Sequence, residues 1–334
     1  MAEQTKLDPR ASTTLSAGLT LRPIRWTDVK AVEKLIYDVC EADGDVTVAT
    51  TAEELENEWK NEGFDMERDA FVVETQDGRI VGYEEFFHPK DMYHDLDADG
   101  YVHPQFKGLG IGRALLQAVE ARAREEMKLA APDLRVFIRN TIDNKDQAGH
   151  DLFKSEGYFP VRYHRRMEIQ LKEAPAPVTF PDGIELRPFV KDEHSIAVWQ
   201  ADNEAFRDHW GSHDTSYEEW THHKFERSDF DPTLWMVAWD GDQIAGFSQN
   251  RFRMGIGWIG TLGVRRPWRK MGLGLALLQH SFGEFHKRGM TTIGLGVDAS
   301  NPTGATRLYQ RAGMYVASEF ATYEKELRPG RITE

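Results

Sequence analysis

Along the chain, short apolar or alternating runs are separated by Gly, Pro and Asp turns and by stretches of helical spacing. Leu19-Thr20-Leu21-Arg22-Pro23-Ile24 predicts a strand. Thr27 is placed to cap a helix whose apolar face carries Val29, Val32, Leu35 and Ile36. Phe71–Thr75 and Ile80–Tyr83 predict two strands joined by a Gln76-Asp77-Gly78 turn. Farther on, the largely apolar run Trp258–Val264 predicts a strand that Pro267 stops. From Leu275 the apolar positions Leu277, Leu278, Phe282 and Phe285 recur at helical spacing, and Thr292–Val297 predicts a further strand. Asn301-Pro302 is positioned to start a helix containing Ala305, Leu308 and Tyr309, which Gly313 ends.

This pattern occurs twice. Leu21-Arg22-Pro23 returns as Leu186-Arg187-Pro188 after 165 positions, Gly82 as Gly246 after 164, Gly110 as Gly272 after 162, and Gly157 as Gly313 after 156. Four landmarks in one order, with a slowly drifting offset, predict a duplicated domain. Between the copies, Lys172–Gly183 holds three prolines and reads as a stiff, extended linker. The expected organisation is a tail at 1–18, a first domain at 19–171, the linker at 172–183, a second domain at 184–328 and a tail at 329–334. Within each copy the alternation of strands and helices predicts an α/β fold with a mixed sheet.

The chemistry concentrates where the Trp258–Val264 strand turns into the next helix. Gly272 and Gly274 stand at the helix start, where backbone N–H groups lack intrahelical partners and carry the positive end of the dipole. Without Cβ atoms there, a phosphate can approach closely. Arg269 and Lys270 add positive charge. The stretch is not a P-loop, because Leu275 follows Gly274, nor a dinucleotide fingerprint, because position 277 is Leu. The first copy repeats it as Val102, Lys107, Gly108, Gly110 and Gly112, with Leu115, Leu116 and Val119 on the following helix. A tight structural turn would use the same glycines.

The pattern Arg-x-x-Gly-x-Gly after a strand, at Arg269, Gly272 and Gly274, resembles motif A of the GNAT superfamily of N-acetyltransferases. The resemblance runs from about Leu19 to Leu327. It implies two tandem GNAT-like domains, each a mixed, mostly antiparallel sheet flanked by helices. It implies that Val264, Arg269, Lys270, Met271, Gly272, Leu273, Gly274 and Leu275 hold the pyrophosphate of acetyl-CoA, as Val102, Lys107, Gly108, Gly110 and Gly112 would in the first copy. It further implies that backbone N–H groups around Leu262 and Val264 polarise the acetyl carbonyl, that Asn301 lies near the pantetheine arm, and that Tyr309 protonates the departing thiolate. Reference pKa values of about 8.5 for a thiol and about 10 for Tyr suit that transfer. Taken alone, Tyr309 also fits a packed helix residue. Counting back from Gly157 as from Gly313 sets Phe153 opposite Tyr309 and Lys145 opposite Asn301, with Asn144 adjacent, which puts leaving-group chemistry in the first copy in doubt. The expected function is acetyl-CoA-dependent transfer to a primary amine by direct attack in the C-terminal copy. A non-catalytic acyl-CoA-binding sensor or scaffold is the alternative. Glu204, Asp208, Glu218 and Glu219 are candidates for the general base, and each also fits a solvated helix charge.

Composition narrows the partners. The 334 residues are 40% hydrophobic and 29% charged, with a net charge of −14, which argues against sequence-independent nucleic-acid binding and suits a cationic small-molecule or peptide amine. One cysteine, Cys40, excludes an intramolecular disulfide and fits a reducing, cytoplasmic setting. Met1–Ala17 is polar and shows no signal peptide, and no apolar run approaches the roughly 20 residues of a membrane span. Gly255–Gly260 spells Gly-x-Gly-x-x-Gly but leads into a strand, not a helix. Asp95–Gly100 begins like an EF-hand loop, yet the twelfth position is Phe106, so a hairpin turn is expected. His209, His213, His222 and His223 lack a distinctive further ligand, and no metal is expected. Phe206, Trp210, Tyr217, Trp220 and Phe225 fit either an acceptor pocket or core.

Overall fold

The computed structural model describes residues 15–332 except 62, 90, 211, 213, 302 and 303. In chain order the elements are β1 (Leu19–Pro23), α1 (Val29–Asp43), α2 (Ala52–Trp59), β2 (Ala70–Thr75), β3 (Ile80–Phe87), β4 (Asp95–Val102), α3 (Ile111–Glu126), β5 (Val136–Asp143), α4 (Gln147–Ser155) and β6 (Phe159–Gln170). The repeat follows as β7 (Ile184–Pro188), α5 (Lys191–Phe206), α6 (Tyr217–Phe225), β8 (Trp235–Asp240), β9 (Gln243–Arg253), β10 (Ile256–Val264), α7 (Leu273–Lys287), β11 (Thr292–Asp298), α8 (Ala305–Arg311) and β12 (Tyr315–Arg328). No helix among the described residues is long and apolar enough to cross a membrane.

The chain forms two compact units, Met1–Arg162 with Phe320–Glu334, and Tyr163–Glu319. In the first unit, β1 to β4 pair antiparallel in sequence order, β4 pairs parallel with β5, and β5 pairs antiparallel with β12. In the second unit, β7 to β10 pair antiparallel, β10 pairs parallel with β11, and β11 pairs antiparallel with β6. Each sheet is therefore mixed and mostly antiparallel, as expected. The boundaries differ from those read off the repeat, which cut at 171 and 184. The last strand of each copy completes the sheet of the other, an exchange that repeat spacing cannot register.

Burial follows from amphipathic faces. Ile111, Leu115, Leu116 and Val119 of α3 pack on Leu96 and Ala98 of β4 and on Val136 and Ile138 of β5. In the second unit Leu278, Phe282 and Phe285 of α7 pack on Ile259, Ile293 and Leu295. On the other face of that sheet, Val198 and Ala201 of α5 and Trp220 of α6 meet Trp235, Val237 and Phe247.

Three local expectations are corrected. Asp95–Gly100 lies in strand β4, not in a hairpin turn: Leu96 and Ala98 are buried in the core beside α3, while Asp97 and Asp99 alternate with them. Thr27 does not cap α1; it sits in a 3₁₀ turn (Trp26–Asp28) in which Asp28 accepts the Arg25 N–H at 2.8 Å. Helix α8 begins at Ala305, behind Gly304 at φ +74°, not at Asn301; Pro302 lies outside the described residues. The linker follows α7: a Cβ at Gly283 would lie 3.9 Å from Pro175, and the Phe180 ring sits 5.9 Å from that of His280.

Candidate active site

The second unit's glycine turn is a strained, open loop. Beyond β10, Arg266–Trp268 forms a 3₁₀ turn around Pro267, Lys270 takes φ +67° and Gly272 φ +88°, and α7 starts at Leu273. The first bond of the helix runs from the Ala276 N–H to the Gly272 carbonyl at 3.1 Å. The N–H groups of Leu273, Gly274 and Leu275 thus precede the first closed turn. The two glycines serve different needs. A Cβ at Gly272 would meet nothing within 4 Å, so its surroundings are open and its left-handed φ is what requires Gly. A Cβ at Gly274 would lie 3.2 Å from Leu308 and 3.6 Å from Val264, so that glycine lets α7 and α8 pack closely. Met271 is exposed and the Leu273 side chain is buried.

Arg269 does not present its guanidinium to the open side of this loop. Its Nε donates to the Val264 carbonyl at 3.1 Å and its Nη2 to the Ala205 carbonyl at 3.0 Å, with Nη1 3.5 Å from Asp208. It ties the end of β10 to the end of α5. Arg265 pairs with Glu204 at 2.7 Å, and Arg266 pairs with Asp208. The Arg266 hydrogen bond, with help from Arg269, holds the Asp208 carboxyl below the usual carboxylate range. Two of the four base candidates are therefore engaged as ion pairs. Glu218 and Glu219 lie in the first turn of α6, where Ser216 accepts the Glu219 N–H.

Strands β10 and β11 part company midway. They pair only at Gly257–Ile293, Trp258–Gly294 and Ile259–Leu295, and a bulge between Ile259 and Thr261 interrupts the pairing of β10 with β9. The Arg265 N–H bonds the Ala245 carbonyl on β9 at 3.0 Å. Strand alternation then directs the N–H groups of Leu262 and Val264 to the opposite edge, which β11 has left. Tyr309 on α8 is 8% exposed and packed in one cluster with Ile259, Leu278 and Leu295. Among the described residues its hydroxyl has no hydrogen-bond partner, and burial pushes its pKa up to about 12. Asn301 stands in the turn after β11, its N–H on the Asp298 carbonyl at 3.1 Å.

A polar cluster on the α5–α6 face was not anticipated. Trp220 Nε1 and Gln249 Nε2 both donate to Asp202 Oδ2, at 2.9 and 3.2 Å. Lys224 Nζ donates to Thr261 Oγ1 at 3.0 Å and stands 4.0 Å from Asp202; burial pulls its pKa down. Gln249, 4% exposed, leaves its Oε1 buried without a partner among the described residues. The five residues come from α5, α6, β9 and β10 and form no motif; Gln249 could be flagged only by projecting the Gly82–Gly246 equivalence forward, which sets it opposite Glu85. Of the aromatic candidates, Trp220 is core and Phe206 and Phe225 pack against that core, while Trp210 and Tyr217 are exposed.

The first unit repeats the backbone of this site with other side chains. Gly108 and Gly110 both take φ +83°, and α3 opens with Ala114 bonding Gly110 at 3.0 Å, beyond Val102 at the end of β4. A Cβ at Gly112 would lie 3.0 Å from Leu152, matching Gly274 and Leu308. The Tyr158 N–H bonds the Phe153 carbonyl at 2.9 Å as the Met314 N–H bonds Tyr309 at 3.0 Å, so Phe153 does stand where Tyr309 does. The other equivalence is corrected. The Asp146 N–H bonds the Asp143 carbonyl at 2.9 Å, as that of Asn301 bonds Asp298, so Asp146 stands opposite Asn301 and Lys145 does not. The copies differ by one residue between this turn and the following helix. Lys107 Nζ lies 3.0 Å from Asp146 Oδ2.

Family comparison agrees with this layout. A model described as the acetyltransferase (GNAT) family matches residues 195–314, and one described as an acetyltransferase (GNAT) domain matches residues 67–159. Curated relatives include mycothiol acetyltransferase from Geodermatophilus obscurus, 27% identical over 319 residues, covering 90% of this chain and 96% of the relative. That from Streptomyces scabiei is 29% identical over 251 residues, covering 74% and 75%. Among solved structures, a GCN5-related N-acetyltransferase from Sphaerobacter thermophilus is similar with a TM-score of 0.81 and 36% identity, covering 96% of this chain and 99% of that one. A tandem GNAT protein from the clavulanic acid biosynthesis pathway shares the fold, with a TM-score of 0.69 and 17% identity over 94% of this chain and all of its own.

Proposed function

The chain belongs to the GCN5-related N-acetyltransferase (GNAT) family, an acyltransferase family, and from that premise we propose that it transfers an acetyl group from acetyl-CoA to a primary amine on a small molecule, with the chemistry in the second unit. The observation that carries this reading is Tyr309, a phenol packed in one cluster with Ile259 of β10 and Leu295 of β11, whose hydroxyl has no partner among the described residues. That hydroxyl is not among the buried unpaired side-chain atoms, so it reaches the surface, where a ligand atom can accept its proton.

Acetyl-CoA supplies the activated acyl group. The open surroundings of Gly272 and the N–H groups of Leu273, Gly274 and Leu275 fit its diphosphate, with Lys270 beside them. The N–H groups of Leu262 and Val264 would donate to the acyl oxygen as it gains charge. Tyr309, protonated far above neutrality, would give its proton to the leaving sulfur as the C–S bond breaks, and the proton shed by the attacking nitrogen would pass through solvent to restore the phenol. Arg269 acts by holding the loop to α5. Gln249 Oε1, its amide held by Asp202 and itself unpaired among the described residues, would accept an N–H from the incoming amine. The relatives named mycothiol acetyltransferase support a small-molecule acceptor, and a panel of small-molecule primary amines is accordingly the first to test.

Replacing Tyr309 with Phe should lower kcat by roughly 10²–10⁴-fold. The acetyl-CoA Kd should stay within about twofold, because the hydroxyl is used when sulfur gains charge and not on binding. Steady-state kinetics beside calorimetry separate the two. An unchanged kcat in a folded variant would remove Tyr309 from the mechanism.

A further inference from the structure

The two glycine turns share a backbone but not a charge. The second carries Arg265, Arg266, Arg269 and Lys270, against Glu204 and Asp208. At the 162-residue offset, the first carries His103, Pro104, Lys107 and Gly108. It keeps one of the four cations, and that one is taken. Lys107 Nζ is 3.0 Å from Asp146 Oδ2, while Asp146 Oδ1 accepts the Gly149 N–H at 3.2 Å and caps α4. Asp43 and Asp143 share this corner. Burial raises the Asp43 pKa, Asp143 and Asp146 push it the same way, and Lys107 opposes them. The group standing opposite Asp146 in the second unit is Asn301, which is uncharged.

We infer that the first unit's glycine turn is closed to coenzyme A by an internal anion: the Asp146 carboxylate occupies Lys107 and repels a diphosphate that the backbone N–H groups would otherwise accept. The open geometry remains underneath. Gly108 and Gly110 keep their left-handed φ, a Cβ at Gly108 would meet nothing within 4 Å, and α3 begins with the same first bond as α7. A single neutral replacement at 146 therefore opens a second diphosphate site. This inference rests on reading the second unit's turn as a diphosphate cradle.

The test is calorimetric titration of the full chain with acetyl-CoA. Wild type should bind one equivalent, and Asp146→Asn should bind two, with the new site at least about tenfold tighter than any residual binding there, since one unit charge at contact distance is removed. Asn keeps the helix cap, so the variant should fold. Asp146→Ser, which also caps, is the second variant, and circular dichroism and the melting temperature verify both. In a Gly272→Asp background, the parent should bind none and the Asp146→Asn double variant one. A wild type that binds two equivalents overturns the inference. So does the absence of any gain in both folded variants, whatever wild type binds. Unaltered binding after Gly272→Asp instead defeats the cradle assigned to the second unit, so the two failures are distinguishable.

Discussion

At the scale of single residues, Lys270 is where local cost and chemistry meet. It holds φ +67° where the first unit has Gly108 at φ +83°. For a residue with a Cβ this conformation costs roughly 1–2 kcal/mol, against which Gly loses roughly 0.5–1 kcal/mol of chain entropy. Lys270→Gly should therefore stabilise the protein by about 0.5–1 kcal/mol in denaturant unfolding, and it should weaken acetyl-CoA binding several-fold by removing a cation from the loop. A variant that is both less stable and unchanged in affinity would show that the side chain packs and does not serve the ligand. Gly274 teaches the reverse. Sequence assigns it to phosphate approach along with Gly272, but its missing Cβ accommodates Leu308. Spacing shows that a glycine is needed and not which neighbour requires it.

At the scale of elements, the informative comparison is β3–β4 against β9–β10. The pairing sets Glu85 opposite Asp99 in one and Gln249 opposite Thr261 in the other. Like charges directly opposite are unfavourable. Burial, reinforced by Glu58, pushes Glu85 up to about 8 although Tyr83 donates a hydrogen bond to it; burial also raises Asp99, against the Tyr101 bond at 2.8 Å. The folded pKa of Glu85 exceeds its unfolded value of about 4.3, so its contribution to stability is complete below about pH 4 and is lost as pH rises through about 8. Glu85→Gln, which copies the other unit, should gain on the order of 1–3 kcal/mol over wild type at pH 8–9 and nothing at pH 4. Thermal melts across that range measure it, and a difference independent of pH would refute the assignment. The same strands show what is legible in sequence. The run Trp258–Val264 reads as a strand because both its faces are largely apolar. Asp95–Gly100 does not, because its acids resemble a turn until α3 is seen covering Leu96 and Ala98. The glycine turns and Tyr309 are legible because their spacing is local. Asp202, Lys224 and Gln249 are not, because three elements must fold before they meet.

At the scale of the whole molecule, duplication identifies equivalent strands without saying which sheet each joins. Strand β12 completes the first unit, and side chains explain the choice. Glu324 and Glu326 reach Arg135, both at 2.7 Å; Glu324 also reaches Arg139 at 3.0 Å, and Lys325 reaches Glu120 at 2.6 Å. In the same register β6 would offer Ile169 in place of Lys325 and Gln170 in place of Glu326, leaving Glu120 and Arg135 short of those partners. Ala321 and Tyr323 lie in the first unit's core, where Tyr323 stacks on Phe153 at 5.2 Å and meets His150 Nδ1 at 2.7 Å. Removing Phe320–Glu334 should therefore damage the amino-terminal half. Loss of one buried aromatic alone costs about 3–5 kcal/mol, a large share of the roughly 5–15 kcal/mol that holds a domain folded. Hydrogen exchange on the 1–319 chain should show Val136–Asp143 losing protection by at least about tenfold, since each 1.4 kcal/mol is a factor of ten in the opening equilibrium. Peptides from β10 and β11, whose partners β9 and β6 remain, should change less, and a synthetic 320–334 peptide added in trans should restore β5. If β5 stays protected in the shortened chain, the last strand contributes no stability to the first unit and the exchange is not what holds it together.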